Sequence, residues 1–123
     1  MNAYLQVAAG GAIGATLRYA TYRAVTWHGP GFPVATVLVN AGGSLLMGLL
    51  AALFAHRGGH HLAPFLLTGV LGGFTTFSAF SLDVLSLYER GQGGGALIYA
   101  GASVLLSLAA VAAGLALGRG LWA

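Results

Sequence analysis

The residues best suited to chemistry in this chain of 123 are polar side chains set inside long apolar runs. Thr36, Asn40 and Ser44 recur every four residues, as do Tyr99, Ser103 and Ser107, so each set stacks on one face of a helix. A polar group inside a membrane span must find a partner in protein or in a water-filled path. A lone Ser or Thr usually meets that need by bonding back to the carbonyl four residues earlier. Asn40 is different: its amide offers two donors and an acceptor, and local bonding cannot satisfy them all. It requires a partner across an interface or a solvated ligand.

The densest signal is Gly69-Val-Leu-Gly72-Gly73-Phe74-Thr75-Thr76-Phe77-Ser78-Ala79-Phe80-Ser81. Two adjacent glycines followed by two β-branched threonines make a poor helix centre, and a break is predicted there. Backbone carbonyls freed at membrane depth are tolerated only where they line a cavity or bind an ion. Beyond the break Phe77 and Phe80 share a helix face, with Ser78 and Ser81 on the neighbouring one. Aromatic ring edges carry partial positive charge, so beside hydroxyls and an amide they could line a route for a small anion. Asp83 follows one turn later. A carboxylate in a span is costly unless paired or wet. Arg18 is the cation buried to a similar degree, so Arg18 and Asp83 are expected to pair, within a chain or across a dimer.

Other chemistries have little support. There is no Cys for a disulfide or thiolate metal site, and no Lys for a phosphate-cradling loop. The four histidines sit at span ends, His60 and His61 are adjacent rather than one turn apart, and no second acid lies near Asp83. Neither a metal centre nor an acid/base pair is indicated, and the chain is not expected to be an enzyme.

The elements that must position these residues are membrane helices. Hydrophobic residues make up 58% of the chain and charged ones 6%, where soluble proteins carry roughly a quarter. Mean hydropathy is +0.85. Four stretches have the ~20 apolar residues that a span needs: about 3–22, 32–55, 64–87 and 96–117. Joints with His28 and Pro30, with Arg57 through His61, and with Glu89, Arg90 and a run of glycines separate them. All of residues 1–123 form one all-α transmembrane domain, and no basic run suggests a nucleic-acid partner. The first six residues lack a positive n-region, so the first span reads as a retained helix. Gly10 with Gly14, Gly114 with Gly118, and Ser44 with Gly48 give small residues at four-residue spacing, the pattern of close helix packing in lipid.

Arginines near span ends normally collect on the cytoplasmic side. Here Arg57 and Arg119 fall on one side and Arg23 and Arg90 on the other, with Arg18 just inside a helix end. A chain so evenly balanced can insert both ways. An antiparallel, dual-topology homodimer is therefore expected, in the inner (plasma) membrane and surrounded by lipid.

The segments Gly10-Gly11-Ala12-Ile13-Gly14-Ala15 with Arg18-Tyr19, Thr36-Val37-Leu38-Val39-Asn40 with Gly43 and Gly48, and Gly72 through Ser81 resemble the signature segments of the Fluc (CrcB) fluoride channels, in that family's order. The resemblance implies antiparallel dimers of four-helix chains that passively export fluoride and so relieve its toxicity in the cytoplasm. It also implies a structural sodium ion at the interface. Phe77 and Phe80 would be the pore phenylalanines and Asn40 the pore amide; Thr36, Ser78, Ser81, Tyr99, Ser103 and Ser107 would form or border a polar track. Carbonyls of Gly72 and Thr75 would hold sodium, and Arg18 and Asp83 would serve as a vestibule or buried ion pair. Ala79 stands where the family commonly has a hydroxyl. The alternative is a small-multidrug-resistance exporter, which needs a carboxylate in the first span; this first span has none.

Overall fold

The computed structural model describes residues 2–25 and 32–122, so His28 and Pro30 of the first joint lie outside the described residues. All regular structure among the described residues is helical. Helix α1 (Ala3–Ala24) starts where the Asn2 side chain accepts a hydrogen bond from Leu5 N–H at 2.8 Å, as an N-cap should. Helix α2 (Val34–Arg57) ends at Gly58, whose φ of 79° only glycine adopts easily. A short 3₁₀ turn (His60–Leu62) leads into α3, whose π-helical part (Pro64–Leu71) runs into a single α-helical turn (Gly72–Phe74). Helix α4 (Phe77–Glu89) and helix α5 (Gly93–Trp122) complete the chain.

The third span is broken as expected, and of the glycines and threonines that marked the place it is the threonines that leave the helix. Gly72 is helical, with φ −62° and ψ −36°, whereas Thr75 and Thr76 are extended. Each threonine takes a local hydrogen bond that suits the break: Thr75 Oγ1 donates to Leu71 O at 2.9 Å, and Thr76 Oγ1 caps α4 by accepting from Ala79 N–H at 3.1 Å. The threonines supply the stop and the restart, as their capping chemistry allows.

The last joint also differs from expectation. Gly93 and Gly94 belong to α5, and the turn is made at Gly91, with φ 80°. Ala96 N–H reaches Gln92 O at 2.8 Å, so the helix begins earlier than 96, and it runs on past 117 to Trp122.

Among the described residues three segments are long and apolar enough to cross a membrane: Val34–Arg57, His60–Glu89 and Gly93–Trp122. Helix α1 has the length, but Gln6, Thr16, Arg18 and Thr21 lower its apolarity. Its outward faces and those of α5 carry Leu17, Leu97, Ile98 and Leu105 in the open, a surface suited to lipid tails rather than water.

Packing divides the helices into two sets. Helix α1 lies on α3, while α2 lies on α5 and α4 joins α5. Both tight pairs are made through glycine. A Cβ at Gly14 would overlap Val70 O, one at Gly48 would overlap Val111 O, and one at Gly114 would overlap Leu45 O. Backbone thus touches backbone, which gives the van der Waals contact that holds helices together in lipid. Gly101, on the same helix as Gly114, has open space where its Cβ would be. Gly114→Ala is expected to lower unfolding stability in detergent by about 1–3 kcal/mol through overpacking. Gly101→Ala should leave it unchanged or raise it; thermal unfolding of the two purified variants makes the comparison.

Candidate ion pathway

The break is held by Asn40. Its Nδ2 donates to Thr76 O at 2.9 Å, and its Oδ1 accepts from Thr76 N–H at 2.7 Å. One side chain therefore satisfies both backbone groups of a residue that has left the helical ladder, as buried backbone requires. Each amide terminus keeps capacity to spare, one N–H and one lone pair.

A groove of about 420 Å³ opens beside this clasp. It is lined by Asn40, Thr75, Phe77, Phe80, Ser103 and Ser107, with Ser44 and Thr76, and by apolar Met47, Val104, Leu108 and Val111. The sequence placed Asn40, Phe77, Phe80, Ser103 and Ser107 on a pathway, and the structure brings these five together. Ser44, on the Asn40 stripe, joins them; so does Thr76, which only the helix break turns inward. Ser103 Oγ is buried and finds no hydrogen-bond partner among the described residues. Such a hydroxyl at a groove wall has an unspent proton, and leaving it unpaired is costly.

The two phenylalanines of the lining belong to a chain of aromatic contacts that continues behind the groove. Phe77 and Phe80 lie 5.5 Å apart between centroids at 44°, and Phe80 lies 5.6 Å from Tyr99. Phe32 meets Tyr99 edge-on at 5.5 Å. Phe77 is 78% exposed in the single chain, so its ring is open to whatever covers this face.

The other expected track residues stand elsewhere. Ser81 Oγ donates to Phe77 O at 2.9 Å, bonding back along its own helix, and Ser78 Oγ lies 3.3 Å from Thr76 Oγ1. Thr36 and Tyr99 are buried and serve Asp83: Thr36 Oγ1 donates to Asp83 Oδ2 at 2.7 Å and Tyr99 OH at 2.9 Å. Tyr22 OH sits 2.8 Å from Thr36 Oγ1. Since Thr36 gives its single proton to Asp83, Tyr22 is the donor to Thr36. None of these residues lines the groove.

The expected pairing of Arg18 with Asp83 is not made within the chain. Asp83 is satisfied by the two hydroxyls, and Arg18 Nε instead donates to Gly73 O at 3.0 Å. The reason is local supply. The helix break leaves a carbonyl beside Arg18, and α2 and α5 bring hydroxyls to Asp83, so neither charge needs the other. Of the two carbonyls expected to hold a cation, that of Thr75 receives no hydrogen bond from the described residues. Gly72 is exposed on the single chain.

Two measurements test this account. Asn40→Asp keeps an acceptor for Thr76 N–H but loses the donor to Thr76 O, and is expected to cost about 1–3 kcal/mol of unfolding stability. Asp83→Asn and Arg18→Met share no partner, so in a double-mutant cycle their losses should add to within about 0.5 kcal/mol.

Comparison with known proteins covers nearly the whole chain. Residues 5–115 match the family model described as CrcB-like protein, Camphor Resistance (CrcB). A protein of Paracoccus denitrificans named fluoride-specific ion channel FluC is 62% identical over 122 residues, covering 99% of this chain and 98% of that one. Proteins of the same name from Cereibacter sphaeroides and Agrobacterium fabrum are 57% and 53% identical, covering 98% and 94% of this chain and 97% and 95% of their own lengths. The chain belongs to the CrcB-like family.

Proposed function

We propose that this chain is a fluoride-selective passive channel of the plasma membrane that lets fluoride leave the cytoplasm down its electrochemical gradient. It is a multi-pass membrane protein and not an enzyme, and the relatives named above carry the name of fluoride-specific ion channels. The observation that carries the reading is the groove itself. Phenylalanine rings, the Asn40 amide and the unpartnered Ser103 hydroxyl converge in it without a charged side chain among its lining residues.

Neutral donors suit a small, strongly hydrated anion. They replace its water at close range, yet hold it weakly enough to let go, which conduction requires. A ring of arginines would bind and not release. Larger halides would be turned away by the size of a passage walled with ring edges and packed helices.

In this reading α1 is a fourth span, supported by its length and by its glycine contact with α3. The near-even split of arginines supports insertion in both orientations and an antiparallel homodimer, in which a second copy covers the exposed ring of Phe77. Ser103 and Ser107 continue the track from Asn40, while Thr36 and Tyr99 border it through Asp83. Carbonyls of Gly72 and Thr75 from both subunits would hold a structural sodium ion. The residues fit such a group: the break frees the Thr75 carbonyl, and a hard cation favours carbonyl oxygen. The ion would tie the two copies together at the break.

A small-multidrug-resistance exporter is not favoured. Helix α1 contains no carboxylate to exchange protons, and Asp83 is bound by Thr36 and Tyr99.

Reconstitution in liposomes, with a fluoride electrode and a chloride control, is expected to show fluoride efflux without chloride efflux. Absent fluoride flux, or equal chloride flux, would sink the reading. Phe80→Ile and Phe77→Ile should each slow efflux by about tenfold or more, the loss of an edge contact worth about 1.4 kcal/mol in the barrier. Reporters fused to the C-terminus are expected on both sides of the membrane, and a single orientation would overturn the dimer.

A further inference from the structure

Gly10, Gly14 and Arg18 follow one another at four-residue spacing on one face of α1. The two glycines lie against the backbone of α3: a Cβ at Gly10 would meet Phe65 O and Gly69 Cα, and one at Gly14 would meet Val70 O and Phe74 N. Gly73 closes the contact from the other side, since its own Cβ would lie 2.8 Å from Gly11 O. The face thus runs flush along α3 to its last turn. One step further, where α3 stops, it presents Arg18.

The end of α3 is where a cation and a donor are wanted. The last carbonyls of a helix have no partner in their own ladder and carry the negative end of the dipole. Arg18 Nε donates to Gly73 O at 3.0 Å. Three residues later Asn40 holds Thr76 by both of its backbone groups. The extended pair Thr75 and Thr76 is therefore bracketed, from upstream by a side chain of α1 and from downstream by a side chain of α2. Phe77 follows at once, and Phe80 one turn on.

We propose that Arg18 is a positioning residue of the pathway: by holding the Gly73 carbonyl it fixes the upstream end of the break, and so sets where the rings of Phe77 and Phe80 stand. Released there, the segment pivots about the Asn40 clasp and carries both rings with it. The role belongs to the donor at Nε rather than to the charge. A charge acting at a distance would serve equally well from any nearby atom, but the carbonyl is reached by this nitrogen.

One substitution separates the two roles. Glutamine carries its amide nitrogen the same number of bonds from Cα as the Nε of arginine, so Arg18→Gln keeps a donor at that point and removes the charge. Arg18→Met removes both. In the full chain in liposomes, amide hydrogen exchange over residues 73–77 is expected to be about ten- to a hundredfold faster in Arg18→Met, and within about fivefold of the parent in Arg18→Gln. Exchange in α2 and α5 should not change. Fluoride efflux and its preference over chloride should follow the same order. The efflux measurement rests on the channel reading; the exchange measurement does not, so the two can fail separately. Exchange over 73–77 that is equally fast in both variants, or unaltered in both while efflux falls in both, would overturn the proposal. If Arg18→Met does not fold, Arg18→Gln decides alone: parent-like exchange supports the role, and loss of protection at the break refutes it.

Discussion

A backbone that leaves the helical ladder inside a membrane must have its amide and carbonyl answered by protein. In this chain the answer is a single side chain. The two hydrogen bonds between Asn40 and Thr76, at 2.7 and 2.9 Å, make the break possible, and the break makes the rest possible. It frees Thr76 to cap α4, turns Phe77 and Phe80 toward the serines of α5, and lets the third span change neighbours, from α1 before the break to α5 after it. An unbroken helix could not lie along both.

Charge is handled with the same economy. Asp83 lies well inside a span, and it is met by two hydroxyls on one of its oxygens, with a third hydroxyl behind. Charge-assisted hydrogen bonds of this kind are stronger than neutral ones and offset part of the cost of removing a carboxylate from water. The arrangement ties α1, α2, α4 and α5 together through Tyr22, Thr36, Asp83 and Tyr99. It also takes the protons of Thr36 and Tyr99 out of circulation, whereas Ser103 Oγ finds no hydrogen-bond partner among the described residues.

Much of this was legible in the sequence. The position of the break, the stripe from Asn40 to Ser44, the ring pair at Phe77 and Phe80, and the glycine spacing on α1 all follow from residue type and a helical period. The cause of the break was less so. Glycines and threonines together marked the weak point, but glycine's fault in a helix is entropic and packing can overcome it. The threonines carry side-chain oxygens that compete for the backbone, and that chemistry decided the matter. Within the single chain Arg18 and Asp83 find other partners for a related reason. Opposite charges are easy to match along a sequence, whereas a carbonyl released by a distant irregularity, or a tyrosine brought in by another helix, leaves no mark there. The π-helical part of α3 had no visible signal either; it shows where α1 and α3 press backbone to backbone.

The pairing of the helices has a consequence for how the chain is made. Helix α1 belongs with α3, and α2 belongs with α5, so the two tight pairs interlock along the sequence, the second beginning inside the first and ending after it. Neither pair can form as a hairpin of neighbours. A chain delivered to the membrane from its N-terminus must park α1, glycine face bare, until α3 arrives, and must hold α2 in the same state for longer still. The glycine faces have then to tolerate a period against lipid before they meet backbone, and the pathway at the break is complete only when the last helix has been delivered.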